Sequence, residues 1–163
     1  MKKHILKFSD IYVIIITVII ATGIHCFIDK KTEILIAIYT AGISIAFSIR
    51  QYRIENDKIF KELFIMYNEK YDLKFNNCLN IIVKKASNQT YELIDEEKPL
   101  IIDYLNMCSE QYLWFTKGRI DSIAWKSWEK GMKFYLECQP IKNFISKESQ
   151  KDSYYGIFEY LKL

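Results

Sequence analysis

Two uncharged apolar runs near the amino terminus constrain this chain more than any other feature. Ile11 to Ile28 reads IYVIIITVIIATGIHCFI, 18 residues without a formal charge. Ile34 to Ile49 reads ILIAIYTAGISIAFSI, 16 residues, and Thr32 and Gln51 extend it. As helices rising about 1.5 Å per residue they measure roughly 27 and 24 Å, against a bilayer core of about 30 Å. Only Asp29-Lys30-Lys31-Thr32-Glu33 separates them. So short a polar link predicts a helical hairpin that crosses a membrane and returns, with spans at about 8–28 and 32–51. Two alternatives are a cleaved signal peptide ending near Ala21-Thr22-Gly23 and the buried hairpin of a soluble protein. The length of the first run, and a second run directly after it, favour the two spans.

Lysine and arginine placement orients such a hairpin. Lys2, Lys3 and Lys7 precede the first run, and Arg50, Arg53, Lys58 and Lys61 follow the second. The link carries two lysines balanced by two acids. The positive-inside rule then places both termini in the cytoplasm. No charge lies within either run, which excludes a built-in ion-selective channel or proton relay. In the second run Ala37, Ala41, Ser44 and Ser48 recur at i, i+4, i+7 and i+11, on one helical face. Small residues allow close helix approach and hydroxyls can bond across a helix pair. The stripe therefore reads as packing between the two spans, as an oligomer seam or as the lining of a conditional pore.

Residues 52–163 are expected to form a small helical cytoplasmic domain, so the chain as a whole reads as all-α. Valines are few, alternation is weak and no Asn-Gly or Asp-Gly hairpin turn occurs. Phe60, Leu63, Phe64, Tyr67 and Tyr71 follow helical spacing, and Leu73 to Ala86 continues or restarts a helix with Cys78, Leu79 and Ile82 inward. Pro99 after three acids marks a helix start. Ile101, Tyr104, Leu105, Cys108, Tyr112 and Phe115 form a buried stripe that stops at Lys117-Gly118. Asp121 caps the next helix, through Trp125, Trp128, Met132 and Tyr135. Shorter helices at about 141–148 and 153–162 close the chain.

From residue 50 onward the charges number 18 basic and 17 acidic, too balanced for a duplex nucleic-acid binder. The only histidines are His4 and His25, so the cytoplasmic domain has no histidine base. The four cysteines form no C-x-x-C pair and read as packing residues in a reducing compartment. No phosphate loop, nucleophile elbow or metal-ligand spacing occurs. The reading is a non-enzyme with no catalytic residues, no metal and no cofactor.

The informative stretch is 105–134, which gathers Trp114, Trp125 and Trp128 with Lys117, Arg119, Lys126, Lys130 and Lys133. Aromatic planes beside cations suit nucleobases and phosphates; tryptophans at helical spacing equally suit a core. The runs YLNMCSEQYLWFTKGRID (104–121), AWKSWEKGMKFYL (124–136) and YYGIF (154–158) resemble a domain of small prokaryotic proteins with amino-terminal membrane helices. The layout is also similar to that of two-helix membrane effectors of bacterial antiphage defence. These include the type III CRISPR accessory effector that binds cyclic tetra-adenylate and the two-span retron effectors. The resemblance covers roughly residues 60–160. It implies an inner-membrane homo-oligomer, a tetramer, whose cytoplasmic domain receives a signal and whose helices disturb the lipid bilayer. On that reading Arg119 is the first phosphate ligand, Lys117, Lys126 and Lys133 support it, and Trp125 or Trp128 stacks a base. The alternative is a retron-type effector held inactive by a protein or RNA partner.

Overall fold

In the computed structural model, residues 8–27, 31–88, 90–147 and 151–163 are described, and every regular element among them is helical. Contacts divide the chain into two units, Met1–Lys58 and Ile59–Leu163.

The first unit holds α1 (Ser9–Phe27) and the amino-terminal part of α2 (Thr32–Lys70). Both are long and apolar enough to cross a membrane. Large aliphatic side chains point outward on several sides, among them Ile19 at 65%, Ile36 at 62% and Phe47 at 69% exposure. A helix that is apolar around its circumference suits hydrocarbon or a large core. Here only 6% and 11% of the apolar windows is buried within the chain, so the chain itself supplies no such core. Hydroxyls in these runs bond backward into their own helices: Thr17 Oγ1 to the Val13 carbonyl, Ser44 Oγ to Thr40 and Ser48 Oγ to Ser44, at 2.7–2.9 Å. No hydroxyl donor of these three therefore needs water or a second helix.

The helices of the hairpin touch through small residues, but not those of the stripe. Ala21, Gly42 and Ala46 are buried. Gly42 faces Thr17 so closely that an added Cβ would collide with the Thr17 side chain. Ala37, Ala41, Ser44 and Ser48 are all exposed. The stripe thus does not pack the two apolar runs against each other; Gly42 and Ala46, one helical turn apart on a different face, do so.

The second unit begins on the carboxy-terminal part of α2. A π-helical turn (Tyr71–Phe75) joins α2 to α3 (Asn76–Lys85). The additional residue of a π turn shifts the inward face by one position. Phe75, Leu79 and Ile82 are consequently buried, while Cys78, expected inward from continuous α spacing, is exposed. After a turn region come α4 (Lys98–Thr116), with Pro99 in its first turn, and α5 (Ser122–Leu136). Then follow α6 (Gln139–Lys147), a 3-10 turn (Lys151–Tyr154) and α7 (Ile157–Leu161). The helix expected at 153–162 is divided because Gly156 takes a left-handed conformation, φ +79°; residue 148, the expected end of the preceding helix, lies outside the described residues.

One apolar core unites these elements: Leu105 and Cys108 of α4, Trp125 and Leu136 of α5, Ile141 of α6 and Ile157 of α7 are almost wholly buried with Phe75 and Leu79. Of the cysteines only Cys108 is fully enclosed, and burial pushes its thiol up to about 12. It is a packing residue. Cys26 and Cys78 are exposed, which for Cys78 departs from its expected inward position.

Candidate functional site

The basic residues of 105–134 are placed by the corner between α4 and α5. Gly118 adopts φ +69°, and its N–H donates to the Phe115 carbonyl while Arg119 N–H donates to Trp114 at 2.9 Å. This pair of bonds is the helix-stop geometry that a glycine permits. Asp121 then accepts a bond from the Ile123 N–H at 2.7 Å and opens α5. Arg119 is therefore held, half-buried, in a three-residue corner. Lys117 is exposed beside it with its ammonium 5.3 Å from the centre of the Trp114 ring.

The rest of the expected set is spread over α5. Lys126 is exposed. Lys133 bonds Glu129 at 2.9 Å, and that hydrogen bond raises its pKa. Glu129 also accepts from the Tyr160 hydroxyl at 3.2 Å. A carboxylate thus sits between Lys126 and Lys133 on the same helix, an unfavourable neighbour for a phosphate. Trp125 is not a stacking surface. It is 1% exposed, lies flat on Phe115 with ring centres 4.6 Å apart, and donates its indole N–H to Tyr160 Oη at 3.0 Å. Its position at an a/d-type spacing made core the alternative reading, and core is what it is.

Trp128 leads to a different place. It is half-buried, stacked on Phe64 at 5.6 Å and edge-on to Tyr67 at 5.9 Å. With α2, the π turn and α4 it lines a cavity of about 190 Å³. Tyr104, Met107 and Gln111 reach it from one face of α4, Ser127, Gly131 and Tyr135 from α5, and Asn68 and Tyr71 from the opposite wall. At one end Tyr71 and Tyr135 share a hydroxyl–hydroxyl bond of 2.8 Å, and Tyr135 donates to Asn80 Oδ1 at 3.1 Å. Burial raises the pKa of Tyr104 well above its ordinary value and, with the nearby Glu110 charge, that of Tyr67 to about 12. These phenols stay neutral near pH 7 and serve as hydrogen-bond donors, not bases.

Two features of the cavity bear on its chemistry. No charged side chain lines it, so Arg119, Lys117, Lys126 and Lys133 all lie outside its wall. Gln111, 4% exposed, makes no side-chain hydrogen bond to another described residue. Gln111, Asn68 and Gly131 were not singled out by sequence reasoning. The available signals were a glutamine within the apolar face of α4 and a glycine inside a helix of good helix formers.

Among the described residues no group of three or more His, Cys, Asp or Glu side chains is arranged to hold a metal ion. In comparisons with protein families, curated proteins and solved structures, nothing matches this chain.

Proposed function

We propose that the chain is a ligand-responsive membrane effector of bacterial antiviral defence. In this reading the hairpin lies in the inner membrane with both termini cytoplasmic. The helical domain binds a cyclic oligoadenylate, cyclic tetra-adenylate by resemblance, in a homo-oligomer that then perturbs the bilayer. One observation carries the reading: a chain with two spanning-length apolar helices also builds a polar-aromatic cavity in its second unit. A plain membrane anchor requires no such cavity. The outward Ala37, Ala41, Ser44 and Ser48 stripe supports assembly, since its small residues remain available to a second copy. The Arg119 and Lys117 corner is the part of the basic set that suits a phosphate best, being clear of Glu129's ion pair.

The test uses full-length protein in dye-loaded liposomes of phosphatidylethanolamine and phosphatidylglycerol. Dye release on adding cyclic tetra-adenylate, and none without it, is the expected result. Release that ignores the ligand, or no release at any concentration, removes this reading. A second reading, a retron-type effector restrained by a protein or RNA partner, draws support from the exposed Ile65, Met66 and Leu73 on the outer side of α2 and the π turn. It expects ligand-independent release by the purified chain.

A further inference from the structure

We propose that the cavity bounded by α2, α4 and α5 is a binding site for an uncharged, flat nitrogen heterocycle whose edge is read by the Gln111 amide. This inference stands on the cavity alone and survives if the effector reading fails.

The size sets the first limit. A cavity of about 150 Å³ lined by apolar side chains holds benzene. The 190 Å³ here has room for one or two fused rings, and because the cavity is open on one side any further part of a ligand would lie outside it. Charge sets the second. With no lysine, arginine or carboxylate in the wall, an ionised ligand would lose its hydration without a counter-charge. The buried part of the ligand is therefore neutral, and any phosphate attached to it must project outside.

Polarity sets the third limit. Gln111 is 4% exposed, lines the cavity and has no bonding partner among the described residues. Its carboxamide offers one acceptor and two donors. The complementary ligand edge has a donor beside an acceptor, as adenine presents at N6 and N7. Asn68, on the facing wall, likewise bonds no other described side chain, so a second ring edge finds a partner there. Trp128 and Tyr67 supply aromatic walls, an arrangement that favours a flat ring over an aliphatic one.

Gly131 strengthens the assignment. It lies within α5, where glycine is a poor helix former, and a Cβ added there would meet nothing within 4 Å. The residue is exposed, so that space is the open, solvent-facing side of the cavity it lines.

The experiment is calorimetric titration of full-length protein in detergent micelles with free adenine and, separately, with indole as a ring lacking the paired edge. Saturable adenine binding is expected, with indole at least tenfold weaker. Gln111→Leu should weaken adenine by about tenfold or more and narrow the gap to indole. Gly131→Phe should abolish adenine binding by filling the space. Should that variant fail to fold, Gln111→Met gives the same reading without adding bulk at the glycine. Absence of adenine binding, or adenine binding indifferent to both Gln111 variants, overturns the proposal. Adenine binding in a protein that never releases liposome dye would sink the effector reading and leave this site standing. Dye release by cyclic tetra-adenylate from a protein that binds no adenine would sink this site and leave the effector reading standing.

Discussion

Arg53 Nη2 lies 2.7 Å from Asp10 Oδ1, joining the start of α1 to a point on α2 that is 43 residues distant in sequence. The pair brings the beginning of the first apolar run level with the end of the second. From Thr32 to Arg53 the helix rises about 33 Å, and α1 with its 19 residues rises about 28 Å. The start of α1 and Arg53 thus lie at the same end of the hairpin. The side chains are only 32% and 19% exposed, so water screens the pair less than it would a surface ion pair.

Replacing Asp10 with Asn or Arg53 with Gln is therefore expected to destabilise the hairpin. The double variant should cost less than the sum, since both changes remove the same bond. Thermal unfolding of the four proteins in detergent gives the coupling energy. Strict additivity would mean the two groups do not interact.

The Gly42 and Thr17 contact separates two roles that small residues can have. A Cβ at Gly42 would collide with Thr17 Oγ1 and Cγ2, and a receding α1 would uncover its own buried Ala21 and Ala46 of α2. Gly42→Leu should open the hairpin, with a drop of roughly 2–4 kcal/mol or loss of folded protein. Ala41→Leu and Ser44→Leu point outward and should leave protomer stability within about 0.5 kcal/mol. Under the oligomer proposal they weaken chemical cross-linking between copies. Equal cross-linking in all three variants would locate the seam elsewhere.

Glu97 fastens the segment before α4. Its carboxylate accepts from Lys85 at 2.9 Å, from the Tyr91 hydroxyl and from the Ile94 N–H at 3.2 Å. Burial pushes its pKa up, but the bonds from Tyr91, Lys85 and Ile94 outweigh it, and the net direction is down. A carboxyl with a lower pKa folded than unfolded adds stability above the ordinary value of about 4.3. It loses that stability as pH falls through the folded-state value. Glu97→Gln should cost about 1.5–3 kcal/mol at pH 7, and the wild type and variant should converge in acid. A gap that stays constant from pH 7 to pH 3 would show that the charge is not what matters.

Local chain chemistry made much of the fold legible. Gly118 stops α4, Asp121 starts α5 and Pro99 stands in the first turn of α4, because each acts through its own backbone and nearest neighbours. The apolar stripe of Ile101, Tyr104, Leu105 and Cys108 needed only 3.6-residue periodicity. The features that sequence did not show depend on relationships across elements. A π turn at Tyr71–Phe75 leaves no compositional mark, yet beyond it Cys78, expected inward with Leu79 and Ile82, is exposed. Gly42 and Ala41 are adjacent small residues, and only α1 determines which of them is enclosed. Lys126, Lys133 and Trp125 are near one another in sequence, but helical phase sends Trp125 inward and the lysines outward. The cavity joins Asn68, Gln111 and Trp128 from three helices, a convergence that no spacing within one segment can reveal.

Gly131 offers the sharpest separation of stability from binding. Glycine inside a helix costs roughly 0.5–1 kcal/mol relative to alanine, because the unfolded chain has more conformations to lose. At Gly131 no steric reason opposes the exchange, since the added Cβ meets nothing within 4 Å and the residue's φ is ordinary. Gly131→Ala should thus stabilise the second unit by about 0.5–1 kcal/mol, raising its melting temperature by a few degrees. The same methyl group intrudes on the cavity that Gly131 lines. If a flat heterocycle occupies that space, the more stable variant should bind adenine several-fold more weakly. Thermal unfolding without ligand and calorimetry with it measure the two effects independently. A variant that gains stability and binds adenine as the wild type does would show that Gly131 has no part in the site; one that loses stability would show that the glycine serves the fold.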